Sequence, residues 1–286
     1  VTPDIQDFFD DETFTVSYLV SDPGSRRAVV IDPVLDFDPK SARTSTKSAD
    51  VLLAAIAAKD LTVDWLLETH AHADHLSASA YFKAKLGAKT AIGEQIRDVQ
   101  KVFRSVFNAD DVTGDGAPFD RLLKDGEALE VGGMEVEILY TPGHTPACVS
   151  YKIGDNVFVG DTLFMPDYGT ARCDFPGGNA RMLYRSIRRI LSLGDETILW
   201  MCHDYKAPGR DAYAWRTTVG QQRKSNIHIR DGVGEDEFVA MRTARDKTLH
   251  MPVLILASVQ VNIRAGNMPP PENDGNVYLK LPLNRL

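Results

Sequence analysis

The stretch "ETHAHADH", residues 68–75, places His70, His72, Asp74 and His75 within six positions. Imidazole and carboxylate side chains are ligands for zinc, iron and manganese. Four such groups so close together are too polar to be core. The chain has seven histidines. Two more stand in similar settings, His144 in "TPGHTP" and His203 in "CHDY", and a further carboxylate, Asp161, closes the apolar run in "VFVGDTLF". Together these seven groups predict a metal-dependent reaction centre for one ion or two. The alternation in "HAHADH" lets His70 and His72 point the same way, while Asp74 and His75 face a neighbouring position as the chain turns into a helix. His228 and His250 fall in polar stretches that read as helical, without partners, and are assigned no role.

Such groups need a scaffold that presents them at strand ends. "TFTVSYLV" alternates, and "RAVVIDP" is a β-branched run stopped by Pro33. Residues 33–47 show no period and read as a loop. "SADVLLAAIAAKD" reads as a helix with Ser48 as its N-cap. "LTVDWLLETH" reads as a buried strand whose end delivers the histidine cluster, and "HLSASAYFKAKLG" as a helix closed by Gly87. A strand in "AKTAIG" and a helix in "EQIRDVQKVFRSVFN" follow. From Leu122 the period is two, with turns at Gly132-Gly133 and at Gly154-Asp155-Asn156. "ARMLYRSIRRILSL" is helical, and "ETILWMCHDY" is the last clear strand. From about residue 211 the chain reads as a helical region with a Pro-rich tail. Strands in hairpins with interspersed helices, seen roughly twice, predict an α/β sandwich of two sheets flanked by helices, as one domain over residues 1–286.

Composition sets outer bounds. The chain has 286 residues, 43% of them hydrophobic, and a net charge of -8. An acidic surface repels phosphate backbones, so nucleic acid is not an expected partner. The apolar run "PVLILASVQVNI" is too short to span a bilayer, so no membrane is expected. Cys148, Cys173 and Cys202 are far apart, which fits a reducing, cytoplasmic setting. The chain opens on Val1, which leaves a trimmed start or a lost targeting segment open. A homodimer is allowed but not required.

"THAHADH", "TPGHTP", "GDTLF" and "CHDY", in that order, resemble the metallo-β-lactamase superfamily. The resemblance implies an αββα sandwich, in agreement with the pattern of elements. In its dinuclear members one metal takes positions matching His70, His72, His144 and Asp161, and the other takes Asp74, His75, His203 and the shared Asp161. True zinc β-lactamases lack the aspartate matching Asp161. Two glutathione-dependent branches remain, the dinuclear zinc glyoxalase II-type hydrolases and the persulfide dioxygenases. The segment Arg172, Cys173, Asp174, Phe175 and the Asp204-Tyr205 pair after His203 resemble the second branch.

That resemblance implies one Fe(II) per chain, held by His70, His144 and Asp161. Two histidines and one carboxylate are the set used by non-haem iron oxygenases. His72, Asp74, His75 and His203 then become outer partners or a vacant second metal site. The implied reaction oxidises glutathione persulfide with O2 and water to sulfite and glutathione. Arg172 and Tyr205 match positions that contact the glutathione moiety. Arg172 is equally suited to an ion pair with Asp174, and Tyr205 to packing. Cys173, beside Arg172, has the setting of a reactive thiol or of an ordinary one. The row Arg181, Arg185, Arg188 and Arg189 reads as a solvated basic face opposite the apolar stripe of Leu183, Ile187, Ile190 and Leu191.

Overall fold

The computed structural model describes residues 1–285, so Leu286, the last residue of the expected domain, lies outside the described residues. One six-stranded sheet runs β1 (Asp4–Asp10), β2 (Thr15–Ser21), β3 (Arg27–Ile31), β6 (Thr62–Leu67), β8 (Lys89–Gly93), β9 (Arg121–Leu123). The other runs β10 (Ala128–Val131), β11 (Met134–Tyr140), β12 (Val149–Ile153), β13 (Asn156–Phe158), β14 (Ile198–Trp200), β15 (Arg216–Thr218). A small sheet joins β5 (Arg43–Ser45), β4 (Val34–Asp38) and β7 (Leu76–Ser77). The helices are α1 (Lys47–Ala58), α2 (Ser79–Leu86), α3 (Ile96–Phe107), α4 (Ala180–Ile190), α5 (Val219–Ser225), α6 (Glu235–Asp246) and α7 (Ile255–Asn262). Both large sheets are mixed. β3, β6, β8 and β9 are parallel beside the antiparallel β1 and β2, and β14 is parallel to β13 beside an antiparallel meander.

Strand alternation decides which layer each residue enters. Val16, Tyr18 and Val20 of β2 pack on Val136, Ile138 and Tyr151 of the other sheet. Leu19 points the opposite way and, with Ala28, Val30 and Leu66, packs on Leu52 and Ile56 of α1 and Phe82 of α2. On the far side Val157 and Leu199 pack on Leu183, Ile187 and Ile190 of α4, the predicted apolar stripe. Burying each such aliphatic or aromatic side chain is worth about 1.5–3 kcal/mol. The result is the expected αββα sandwich, with three apolar layers between four structural ones. No helix among the described residues is long and apolar enough to cross a membrane.

Several local expectations are corrected. Residues 34–45 form the β4–β5 hairpin rather than a loop, because β4 has a distant partner in β7, with Val34 opposite Ser77 and Leu35 opposite Leu76. That pairing also delays the helix after His75, which starts at Ser79. Ser48 lies inside α1 and is not its N-cap. Its hydroxyl donates to Asp36 Oδ1 at 2.7 Å and its N–H to Asp36 Oδ2 at 3.1 Å. Asp36 thus reaches from another strand to satisfy the helix start. β15 follows the supposed last strand, paired to β14. The arginines of α4 are not merely solvated, since Arg181 and Arg185 pair with Glu235, Arg188 with Asp231 and Arg189 with Asp125.

The strands that carry the candidate residues end on one edge. β3 and β6 are parallel and lead into Asp32 and into residues 68–75. β11 and β13 are each antiparallel to β12, and β14 is parallel to β13. Their ends therefore deliver His144, Asp161 and His203 to the same side.

Candidate metal centre

Two glycines let those strand ends close on one another. Gly160 has φ +52, and a Cβ there would lie 2.6 Å from Thr69 Oγ1. The residue after each of these two is a candidate ligand, so the close approach sets Asp161 Oδ2 3.8 Å from His70 Nε2. Gly143, at φ +144, would place a Cβ 2.4 Å from the Leu183 backbone. The loop bearing His144 can therefore rest on α4 and bring His144 Nε2 to 3.6 Å from Asp161 Oδ2.

All seven expected ligand-type residues converge, in two adjoining groups. Ligand atoms of His70, His144 and Asp161 lie within 4.8 Å of one another, and so do those of His72, Asp74, His75 and His203. Asp161 Oδ1 lies 3.3 Å from His203 Nε2, where the groups touch. Burial holds the His70 and His72 imidazoles well below the usual histidine range, so both are neutral and can offer a lone pair. Burial alone would raise Asp74, but His203 and His75 pull it well below the usual carboxylate range. His70 Nε2, His72 Nδ1, His75 Nε2, His203 Nε2 and Asp161 Oδ1 are buried with no hydrogen bond among the described residues. Five unpartnered polar atoms, two in the first group and three in the second, are costly in an apolar setting and fit cation binding at this edge.

Behind this surface stand residues that sequence reasoning missed. Asp32 accepts from Thr69 N at 2.7 Å and from Thr69 Oγ1 at 2.8 Å, and lies 2.9 Å from His72 Nε2. It thereby turns His72 Nδ1 toward the cluster. Burial lifts Asp32 to about 6 and Glu68 to about 7. Glu68 accepts hydrogen bonds from the hydroxyls of Ser77 and Ser79. Asn262, at the end of α7, donates to the carbonyls of His72 and His75 at 2.8 Å each. A usable signal existed for Asp32, which ends an apolar strand just as Asp161 does. Asn262 had none, because its partners lie 187 and 190 positions away.

A cavity of about 540 Å³ opens on Asp74, His144 and Asp161 and is walled by Phe14, Phe164, Arg172, Phe175 and Tyr205. His70, His72, His75 and His203 lie beneath, at most 1% exposed. Arg172 makes the anticipated bidentate pair with Asp174, at 2.6 and 2.7 Å, and its Nη1 donates to the His250 carbonyl at 2.6 Å. The Tyr205 ring stacks on the His203 ring at 5.5 Å and meets Phe164 and Tyr168. Cys173 is no reactive thiol. It is buried, burial pushes its pKa up, and its N–H donates to Asp246 Oδ2 at 2.9 Å. His228 and His250 are not helical, and neither is without contacts. His228 is buried in a turn, where Nδ1 accepts from Thr170 N at 3.0 Å, and His250 borders the cavity.

The family described as Metallo-beta-lactamase superfamily matches residues 10–203. A protein of Burkholderia pseudomallei named "Probable metallo-hydrolase" is 55% identical over 99% of both chains. Glyoxylase B2 of Dictyostelium discoideum is 49% identical over 96% of this chain and 95% of its own. The human mitochondrial persulfide dioxygenase ETHE1 is 28% identical over 93% of this chain and 90% of its own. Three further relatives named beta-lactamase hydrolase-like protein, from Xylella fastidiosa and Agrobacterium fabrum, are longer, and the chain spans 65% or 66% of them. The crystal structure of ETHE1 from Myxococcus xanthus is similar at a TM-score of 0.74 and 31% identity, covering 92% of this chain and 100% of that one. With the layered fold and the two ligand groups at its strand ends, the chain belongs to the metallo-β-lactamase superfamily.

Proposed function

We propose that the chain is a glutathione-dependent persulfide dioxygenase with one Fe(II), held by His70, His144 and Asp161. Glutathione persulfide, O2 and water give glutathione, sulfite and two protons. The outer sulfur loses four electrons and O2 gains them. When bound, iron supplies the one-electron chemistry that O2 requires and that zinc lacks.

The observation that carries this reading is how His144 is held. Its Nδ1 donates to the Arg172 carbonyl at 2.8 Å, and its ring meets Phe175 edge-on at 5.3 Å. The segment that sets the dioxygenase branch apart from the glyoxalase II branch, residues 172–175, thus orients one ligand of the two-histidine, one-carboxylate set. The other residues have assignable tasks. Phe14, Phe164, Phe175 and Tyr205 line the cavity with apolar surface and limit water around the sulfur. Arg172 and Tyr205 contact the glutathione moiety. His72, Asp74, His75 and His203 surround the centre, with Asp74 Oδ2 3.2 Å from His203 Nε2. The likeness to persulfide dioxygenases over nearly the whole chain supports the same reading.

A second reading is a dinuclear zinc hydrolase of glutathione thioesters. It is favoured by the three unpartnered nitrogens of His72, His75 and His203 and by the likeness to Glyoxylase B2. An oxygen electrode separates the two. The dioxygenase consumes one O2 per glutathione persulfide and releases one sulfite. Hydrolysis of S-lactoylglutathione without oxygen uptake would overturn it.

A further inference from the structure

The stretch that carries His70, His72, Asp74 and His75 lies between β6 and β7 and belongs to no helix or strand. It is largely buried all the same, so its main-chain groups need partners from elsewhere. Tyr151 Oη donates to the Glu68 carbonyl at 2.7 Å, and Val149 N to the Thr69 carbonyl at 2.9 Å. Beyond His70 one side chain takes over, that of Asn262 in α7, which is 3% exposed. Its Nδ2 donates to the His72 carbonyl and to the His75 carbonyl, each at 2.8 Å. Its Oδ1 accepts from Ser77 N, also at 2.8 Å. A single amide thus pins residues 72, 75 and 77. The end of α7 is anchored independently of that stretch. Arg264 pairs with Asp111 at 2.6 and 2.7 Å, and Gln100 of α3 donates to the Ile263 carbonyl at 2.9 Å. Gln260 accepts from Lys280 N at 2.9 Å and donates to the Lys280 carbonyl at 3.0 Å.

The turn from His72 to His75 sets how the two groups stand to one another, since His70 belongs to the first and His72, Asp74 and His75 to the second. Metal affinity depends on donors that are fixed before the ion arrives, and partners behind the ligands fix them. We propose that Asn262 is a positioning residue for the metal centre, whose amide holds the ligand-bearing turn in the shape that brings both groups to one edge. It touches no ligand atom and acts through main-chain carbonyls alone. Aspartate at this position has nearly the same shape, but it offers no N–H and sets a carboxylate against two carbonyl oxygens. The inference concerns metal binding and stands on either reading of the reaction.

The test titrates metal-free protein, prepared by chelation, with Co(II) under anaerobic conditions. Competition with a chelator gives the affinity, and the visible absorption of the bound ion reports its coordination. Gln100 supplies a matched control. It is 0% exposed, and its amide also serves three main-chain groups, donating to the Ala117 and Ile263 carbonyls and accepting from Gly116 N. None of these lies in residues 68–77. Asn262→Ala and Asn262→Asp weaken Co(II) binding about 10–100-fold and alter its visible bands, as loss of a partner behind a ligand does. Gln100→Ala lowers the melting temperature comparably but binds Co(II) as the wild type does, with the same bands. If Asn262→Asp binds Co(II) like the wild type, the assignment is wrong. An equal loss in Gln100→Ala also overturns it, since the effect is then that of loosening α7. Where Asn262→Ala does not fold, Asn262→Asp decides. If neither folds, Asn262 is a determinant of folding and the positioning role is overturned. A wild type that takes up no Co(II) would overturn it together with the metal centre itself.

Discussion

The two ligand groups look alike in composition but are supported from different places. His70, His144 and Asp161 reach the cavity through His144 and Asp161, and His144 is oriented by the carbonyl of Arg172. That loop is locked from the C-terminal side. Asp246 accepts from Cys173 N, Arg242 donates to the Thr170 carbonyl, and His228 accepts from Thr170 N. His72, Asp74, His75 and His203 are held mainly by strand ends, through Asp32, Thr15 and the carbonyl of Phe14, with Asn262 of α7 on the carbonyls of His72 and His75. The first group is tied to residues 170–174 and α6, and the second mainly to the strand ends. On the proposed function, the first group holds the metal and the second tunes it.

Replacing residues in each group is the sharpest way to break that comparison. His144→Ala removes one of three ligands, so iron is lost and oxygen uptake falls at least about a thousandfold, beyond the cost of losing an outer partner. Iron content measured with turnover checks it, and iron retained at full occupancy would contradict it. Arg242→Met strikes the support of the first group. It leaves Asp246 buried and unpaired, and costs about 3–5 kcal/mol in a denaturant titration. A change under 1 kcal/mol would show that α6 does not lock the loop. His203→Ala, in the second group, leaves iron content near wild type and lowers turnover about 10–100-fold. Loss of half of two bound metals in that variant would favour the dinuclear reading.

The smallest effect is on pH. Burial and the charges of Arg242 and Arg245 hold His228 at about 4, below its usual range, so the folded protein resists protonating it. The unfolded chain takes up that proton first as pH falls from about 6.5 toward 4. Stability is therefore full above that window and lost within it, by roughly 2 kcal/mol between pH 7 and pH 5. His228→Gln has no such group to protonate. Its unfolding midpoint should fall less over the same interval than that of the wild type. Equal losses would mean that His228 is not the group responsible.

The metal cluster was legible because its chemistry is local. Strands that end in His, Asp or Gly-Asp announce themselves within a few positions, and "HAHADH" carries four of the seven groups at once. The layers were legible because the β2 stretch alternates, β3 is a β-branched run and α4 has an apolar stripe. What was not legible rests on distant partners. β4 pairs not only with its hairpin neighbour β5 but with the distant β7. Ser48 is no cap because Asp36 arrives from that same hairpin. His228, Arg242 and Arg245 acquire meaning only when α6 and its flanking turn pack behind residues 169–175. Between the two readings of Cys173 its neighbours decide, since Arg172 is turned to Asp174 and the thiol is buried.

On the proposed function one group holds metal and the other does not. Crystals of protein purified without added metal, measured above and below the iron absorption edge, test it most directly. A single anomalous peak among His70, His144 and Asp161 is expected. Two peaks, or zinc shared between both groups through Asp161, would contradict it.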